Sequence, residues 1–464
     1  MDSYVAQHPG TSTPGLPGVK PPSTRKNTAL LTDKYELTML QAALADGTAN
    51  RHCVFECFTR RLAPGRRYGV VAGTGRLLES LAHFKFGAND LEFLARDNVV
   101  DARTIDYLAD YKFTGNIWGY AEGEVYFPNS PILQVEGSFA EACILETLIL
   151  SILNYDSAVA SAASRMTTAA GTRPCLEMGS RRAHEQAAVA AARAAVIAGF
   201  AGTSNLEAGF RYGLRTIGTA AHSFTLLHDD ELSAFRSQVA TLGADTTLLV
   251  DTYDVTQGVA HAVEAAGSGL GAVRLDSGDL FEQAVATRKQ LDALGATNTQ
   301  ITVTSDLNEF AIAELATAPV DSYGVGTSVV TGSGAVTSEM VYKLVARTNS
   351  KGELEGVAKK SAHKGSSAGR KNAGRQLDDA GVATAEVVVI GENDAVAEWR
   401  PTDDHIRPLM VPLVTAGAIN SRWIGHYGVE TAIERHAASR AELPAIARDI
   451  SPGEPAIPTH YCTI

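Results

Sequence analysis

Apolar and polar positions recur in blocks along the middle of the chain. From about residue 170 to 347, a short apolar or β-prone run is followed by a turn of small and polar residues and then by a helix-like segment. Eight runs can be read: RPCLEM, AGFAGTS, LRTIGT, TTLLVDTYD, GAVRLDSGD, QITVTSD, DSYGVGT and VYKLVAR. Helix-prone spacers lie between many of them, at Glu185–Ala198, Leu232–Ala240, Thr256–Ala266, Leu280–Leu294 and Leu307–Ala316. Strands alternating with helices predict a parallel sheet, and about eight units favour closure into a barrel over an open doubly wound sheet.

Residues capable of chemistry gather immediately after these runs: Glu177 and Arg181, Ser204 and Asn205, Thr219 and His222, Asp251 and Asp254, Arg274, Asp276 and Asp279, Asp306 and Asn308. In a barrel they share the rim at the C-terminal ends of the strands, where barrel enzymes place their active sites. The stretch GVGTSVVTGSG, Gly324–Gly334, follows the penultimate run. It suits a plain turn, or a cradle that turns backbone N–H groups towards a phosphate. Neither a G-x-x-x-x-G-K-[ST] run nor a strand-anchored G-x-G-x-x-G occurs, which disfavours P-loop and dinucleotide-domain readings. His222, in GTAAHSF, has small neighbours and room for proton transfer or nucleophilic attack, although a structural role is the commoner fate of a histidine. Asp276 and Asp279 in RLDSGDL suit helix capping, ribose hydroxyls or a hydrated magnesium ion, and spacing alone does not choose.

Composition narrows the classes. With 464 residues, 45% hydrophobic and 20% charged, the chain has the balance of a soluble globular protein of two or three domains. No uninterrupted apolar stretch reaches the roughly 18 residues of a membrane span, since Ala142–Leu153 carries Glu146. Residues 1–27 are rich in Pro, Gly, Ser and Thr without a signal-peptide core, and read as a disordered leader. Five cysteines without Cys-x-x-Cys units argue against a disulfide framework or structural zinc, so a reducing cytoplasm is the default setting. A net charge of −12 disfavours nucleic acid as the main partner. Between Lys359 and Arg375, KKSAHKGSSAGRKNAGR holds six basic residues and no acid among Gly and Ser. That stretch is expected to be a mobile loop, either merely solvated or closing on phosphates.

Ten segments in order resemble the nicotinate phosphoribosyltransferase family. LLTDKYELTM is similar to the family's opening motif, FECFTRRLAPGRRYGVVAGTG to its basic segment, and PILQVEGSFAEACILETLILSILNY to its inter-domain helix. EMGSRR, GTSN, GTAAHSF, VDTYD, RLDSGDL, SDLNE and YGVGT follow its active-site loops. The resemblance implies a type II phosphoribosyltransferase-like α/β barrel at 141–347, with a second α+β domain built from both chain ends, 28–140 and 348–464. It implies a homodimer with shared active sites, and the lack of a long uninterrupted apolar stretch adds the expectation of no membrane partner. The implied reaction joins nicotinate to phosphoribosyl pyrophosphate, giving nicotinate mononucleotide and pyrophosphate for NAD salvage, with ATP hydrolysis coupled and Mg2+ present.

Residue by residue, the resemblance makes His222 a transient phosphohistidine, with Asp276 and Asp306 on the ribose. It places Arg181 and Arg274 near the pyridine ring and pyrophosphate, and Gly324, Gly326 and Thr327 around the 5′-phosphate. Arg60, Lys364 and Arg370 are implied phosphate contacts, and Tyr35 covers the ring from the partner subunit. Ser204 stands where the nicotinamide enzymes carry an aspartate, and so points to nicotinate. Met178 departs from the family's usual aromatic and offers a softer sulfur–aromatic contact instead.

Overall fold

The computed structural model describes residues 27–359, 367–392 and 394–464. The leader at 1–27, apart from Asn27, lies outside the described residues, and so does Lys364. Helix α1 (Lys34–Asp46) ends at Gly47, whose φ of +83° favours a residue without Cβ. Its buried Glu36 accepts hydrogen bonds from the Thr147 N–H and from the Thr32 and Thr147 hydroxyls, which ties α1 to a later helix. Strands β1 (His52–Thr59), β2 (Asn116–Tyr120) and β3 (Leu133–Ser138) follow.

Helix α2 (Glu146–Ala170) joins two cores. Leu148, Ile149, Ile152 and Leu153 in its first half pack into the core around β1. Val159, Ala162, Ala163 and Met166 in its second half pack into the core of the barrel part. Where the faces change over, buried Asp156 accepts two hydrogen bonds from Arg76 Nη1, at 2.7 and 2.9 Å. The stretch Phe139–Ala170 is long and apolar enough to cross a bilayer, yet 67% of its apolar window is buried inside the protein, as in a core helix. It escapes a search for uninterrupted apolar runs because Glu146, Asp156 and Arg165 punctuate it.

Six parallel strands then form one sheet: β4 (Cys175–Glu177), β5 (Gly202–Thr203), β6 (Thr247–Leu249), β7 (Ala272–Leu275), β8 (Gln300–Ser305) and β9 (Ser322–Val325). Their order is β5-β4-β9-β8-β7-β6. Helix α3 (Glu185–Ile197) links β4 to β5, and α4 (Leu206–Tyr212) and α5 (His222–Leu227) lie between β5 and β6. A parallel bridge from Thr203 to Thr216 adds the LRTIGT run beside β5. Among the described residues no ladder joins Thr216 to β6, so the arc is a half-barrel. The five predicted spacers are all helical, at Glu185–Ile197, Glu231–Leu242, Val255–Ala266, Leu280–Ala293 and Glu309–Glu314.

The eighth run departs from expectation. VYKLVAR belongs to β10 (Met340–Thr348), antiparallel to β1 with Cys53 opposite Arg347. Lys343 and Arg347 stay half exposed there, whereas the parallel strands are nearly buried throughout, as both-face coverage demands. The C-terminal part adds β11 (Leu354–Gly356), β12 (Arg370–Leu377), β13 (Ala383–Gly391), β14 (Ile406–Pro408), β15 (Met410–Thr415), β16 (Ala418–Ile419), helix α6 (Gly425–Ala441) and β17 (Thr459–Thr463). Strands β11-β10-β1-β3-β2-β15-β16 make an antiparallel sheet, and β14-β12-β13-β17 a smaller mixed one. Both chain ends therefore interleave in the second domain.

The basic segment also departs from expectation, because its described C-terminal part is strand β12 rather than a mobile loop. Arg370, expected on phosphate, is buried and ion-paired with Glu136. Lys371 Nζ lies 2.6 Å from Glu56, and fully buried Arg375 lies within 4.0 Å of Glu124, Glu386 and Glu442. The segment carries no acid of its own, but strand pairing brings acids from distant sequence to it.

On α6, buried His436 donates from Nδ1 to the Gly123 carbonyl at 3.3 Å, and its Nε2 has no partner. Burial and nearby Arg440 push its pKa down to about 4. The unfolded chain releases this histidine to titrate near ~6.5, so it binds more protons than the folded chain between about pH 6.5 and 4. Stability therefore falls as pH drops through that window. His436→Leu should remove about 3 kcal/mol of this dependence, read as a flatter stability profile in urea unfolding from about pH 7 to 4.

Candidate active site

Each parallel strand delivers its last residues to one rim. A cavity of about 290 Å³ opens there, lined by Met178, Arg181, Arg274, Asp276, Asp306, Gly324, Gly326 and Thr327 among the expected residues. Arg182, Thr304 and Ser305 complete the lining. Ser305 holds φ at +144°, a conformation rare for a side-chain-bearing residue and typical of backbone that a site constrains.

Gly324 sits at the tightest approach. A Cβ on it would lie 2.4 Å from Thr304 Cγ2 and 2.8 Å from Met178 Sδ. Thr304 in turn donates its hydroxyl to Asp276 Oδ1 at 2.5 Å, so strand packing and carboxylate placement are linked. Arg274 donates from Nη1 to Thr219 Oγ1 at 2.9 Å, and its Nε is buried without a partner. Burial lowers its pKa, against the pull of Asp276 and Asp251.

His222 opens α5 at the cavity's edge. Its Nδ1 is 3.1 Å from Thr252 Oγ1, and its Nε2 is 3.9 Å from Asp276 Oδ2 and 4.0 Å from Asp251 Oδ1. Asp251 is 1% exposed. Its Oδ2 accepts the Asp276 N–H (2.9 Å) and the Ser277 hydroxyl (2.8 Å), while its Oδ1 has no hydrogen-bond partner. One histidine thus faces two carboxylates, one buried and one open to the cavity.

The aspartates of RLDSGDL divide their tasks. Asp279 caps the helix Leu280–Ala293, whereas Asp276 lines the cavity. Asp254 and Asn308 likewise cap helices, at Val255–Ala266 and Glu309–Glu314. Ser204 turns between β5 and α4 beside the rim, and its N–H donates to the Glu177 carbonyl at 2.8 Å. Tyr35 stands on the first turn of α1, 45% exposed, and Arg60 lies 5.3 Å over the Phe58 ring just after β1. Neither lines the cavity within this one chain. Thr252 and Thr304 are absent from the residues the sequence marks at the rim, and Glu177 and Asp251, marked there as polar strand-end residues, carry no assigned role. Their signal is weak in sequence because each works on a neighbouring side chain. Among the described residues, no group of three or more His, Cys, Asp or Glu side chains is arranged to hold a metal ion.

Three arginines, two aspartates and a glycine turn thus converge at the open rim of a parallel half-barrel, the place where α/β-barrel proteins carry their sites. The profile of the nicotinate phosphoribosyltransferase (NAPRTase) N-terminal domain matches residues 30–154, and that of the NAPRTase family matches 174–392. Nicotinate phosphoribosyltransferase pncB1 of Mycobacterium tuberculosis is 55% identical over 449 residues, covering 94% of this chain and 96% of that protein. The Bacillus subtilis nicotinate phosphoribosyltransferase is 37% identical, over 68% of this chain and 66% of its own. The crystal structure of human nicotinic acid phosphoribosyltransferase superposes with a TM-score of 0.75 at 25% identity, covering 91% of this chain and 96% of that one. The chain belongs to the nicotinate phosphoribosyltransferase family.

The packing at Gly324 yields a test. Gly324→Ala should lower stability by about 1–3 kcal/mol through overpacking. Adding Thr304→Ser, which removes Cγ2 but keeps the hydroxyl on Asp276, should restore most of that loss in urea unfolding.

Proposed function

We propose that this chain transfers phosphoribose from phosphoribosyl pyrophosphate to nicotinate, with ATP hydrolysis coupled, in NAD salvage. The observation that carries the reading is the convergence of Arg181, Arg274, Asp276, Asp306 and the Gly324–Thr327 turn on one rim cavity. The pyridine nitrogen has a free lone pair and needs no strong base. It forms a bond to the anomeric carbon while the carbon–oxygen bond to pyrophosphate breaks. Alignment and stabilisation of the departing anion are then the protein's contribution.

Arg181 and Arg274 hold the pyrophosphate and flank the ring, as a planar guanidinium can both stack and pair with anions. Asp276 and Asp306 accept from the ribose hydroxyls, and Gly324, Gly326 and Thr327 surround the 5′-phosphate. Ser204 leaves the ring's carboxylate unopposed by a like charge. His222 accepts the γ-phosphoryl group of ATP at Nε2, the nitrogen that Thr252 does not occupy, releasing ADP. Water then cleaves the phosphorus–nitrogen bond and returns phosphate. The open carboxylate oxygens of Asp276 and Asp306 are the hard donors a hydrated Mg2+ would use when bound with the substrate phosphates.

The active unit is a homodimer. Leu206, Phe210, Leu226, Leu227 and Tyr253 are exposed on segments following the rim, with Phe210 at 87%. Leu31 just before α1 and Tyr35 and Met39 on it are exposed as well. Apolar surface of this kind marks an interface, and a second copy laid over the rim would bring its Tyr35 to the ring. The five cysteines are all free and four are buried, in keeping with a reducing cytoplasm.

Mass spectrometry of reactions containing phosphoribosyl pyrophosphate and Mg2+ tests the reading. Nicotinate should give nicotinate mononucleotide, ATP should raise the yield with ADP released, and nicotinamide and quinolinate should give none. His222→Ala should keep some transfer but lose ATP hydrolysis by roughly 100-fold or more. Unchanged ATP turnover in that variant would remove the phosphohistidine.

A further inference from the structure

Glu177 is a buried carboxylate that no step of the proposed reaction uses. It ends β4, is 0% exposed, and makes no ion pair with a lysine, arginine or histidine among the described residues. Its Oε1 accepts the Gly179 N–H and its Oε2 accepts the Thr203 hydroxyl. The Thr203 oxygen then accepts the Asn205 N–H at 2.9 Å, and Asn205 Nδ2 donates to Ser180 Oγ at 3.0 Å. These bonds close a ring from Glu177 through Thr203, Asn205 and Ser180 back to Gly179.

The ring joins two turns with different tasks. One carries Met178 and Arg181, which line the cavity, and the other carries Ser204. Gly179 also fixes how closely the first turn meets the phosphate turn, since a Cβ there would lie 2.3 Å from Val330 Cγ1 and 2.8 Å from the Gly326 carbonyl oxygen. A buried carboxylate held only by hydrogen bonds is costly to maintain. That cost is accounted for by what the carboxylate orders.

We infer that Glu177 is a positioning residue for pyridine recognition, holding the Met178–Arg181 turn and the Ser204 turn in one fixed relation. The inference rests on the proposed nicotinate reaction. Glu177 needs two acceptor oxygens for this role, because both of its ring partners are donors. A glutamine has one acceptor and one donor group. Whichever way its amide turns, one buried donor of the ring loses its acceptor: the Gly179 N–H faces an N–H group, or Thr203 must accept from both the amide and Asn205 while its own hydroxyl proton is left unpaired.

The expected result for Glu177→Gln is about a tenfold rise in KM for nicotinate, with kcat within about twofold of wild type and only about a threefold rise in the KM for phosphoribosyl pyrophosphate. The second rise is smaller because, of the phosphate contacts, only Arg181 sits on a turn the ring holds, while Arg274 and the Gly324–Thr327 turn do not. Thr203→Val should reproduce that split, Thr203→Ser should restore wild-type values, and the Glu177→Gln/Thr203→Val double variant should be no worse than either single. Equal rises in both KM values, or none, would overturn the assignment, since a merely structural role does not separate the substrates. Amide hydrogen exchange supplies a readout independent of turnover. In Glu177→Gln, exchange at Gly179, Ser204 and Asn205 should quicken together while Ile301–Val303 stay protected. Were the wild-type chain to turn over no nicotinate, the proposed reaction would fall, and the exchange result would still decide whether the ring holds the two turns together.

Discussion

The interior ion pairs that tie the chain's two ends together are the constraint on which the rest depends. Fully buried Arg375, from β12, stands among Glu124, Glu386 and Glu442, and Arg407 makes two hydrogen bonds of 2.9 Å to Glu124 and one of 2.7 Å to Glu442. Arg193 on the barrel helix α3 makes a two-pronged pair with Glu122 at 2.6 and 2.7 Å. Although burial opposes its ionisation, Arg193 and the N–H groups of Gly73 and Gly75 hold Glu122 below the usual carboxylate range. Dry charges are expensive, and losing one partner of such a pair typically costs about 3–5 kcal/mol because the other charge is stranded. The network therefore acts by making alternative arrangements of the two ends unfavourable.

Within that frame the half-barrel does what parallel strands dictate. All its strand ends face one way, so every following turn contributes to the same rim, and short polar turns suffice to assemble a site from sequence spread between Met178 and Thr327. Rigid strand packing then sets the chemistry at short range: Thr304 places Asp276, Asp251 backs His222, and Thr219 takes up the Arg274 guanidinium.

What sequence made legible follows from these rules. Strand-then-helix periodicity exposed six of the eight runs as parallel strands and a seventh, LRTIGT, as a single parallel bridge, and their polar successors marked the rim, because a parallel strand's identity and its loop's position are both local properties. VYKLVAR was misplaced because an apolar run does not announce its partner, and β10 pairs with a strand almost 300 residues away by sequence. Arg370 was misread for the same reason: its counter-ion Glu136 is distant in sequence. Spacing leaves Asp276 and Asp279 open between capping, ribose hydroxyls and a hydrated magnesium ion, and only the folded strand ends separate the capping Asp279 from the cavity-lining Asp276. Glu177 was visible only as a polar residue at a strand end, since its partners Thr203 and Gly179 become informative only once two turns are adjacent.

The second domain also reaches the rim directly. The glycine-rich turn ends in Gly332–Gly334, where Ser333 adopts φ of +53°. Arg66, from the N-terminal segment, donates to the Gly332 carbonyl, and Ser333 donates to Glu309, which also accepts from Arg165 on α2 at 3.0 Å. The turn is thus clamped between an arginine of the N-terminal segment and a carboxylate of the barrel, immediately before the chain leaves the barrel for β10. A turn made of small residues has little rigidity of its own. Its shape is imposed from outside by these long side chains, which explains why the chain's beginning and end must be folded together before the rim between them takes its working form.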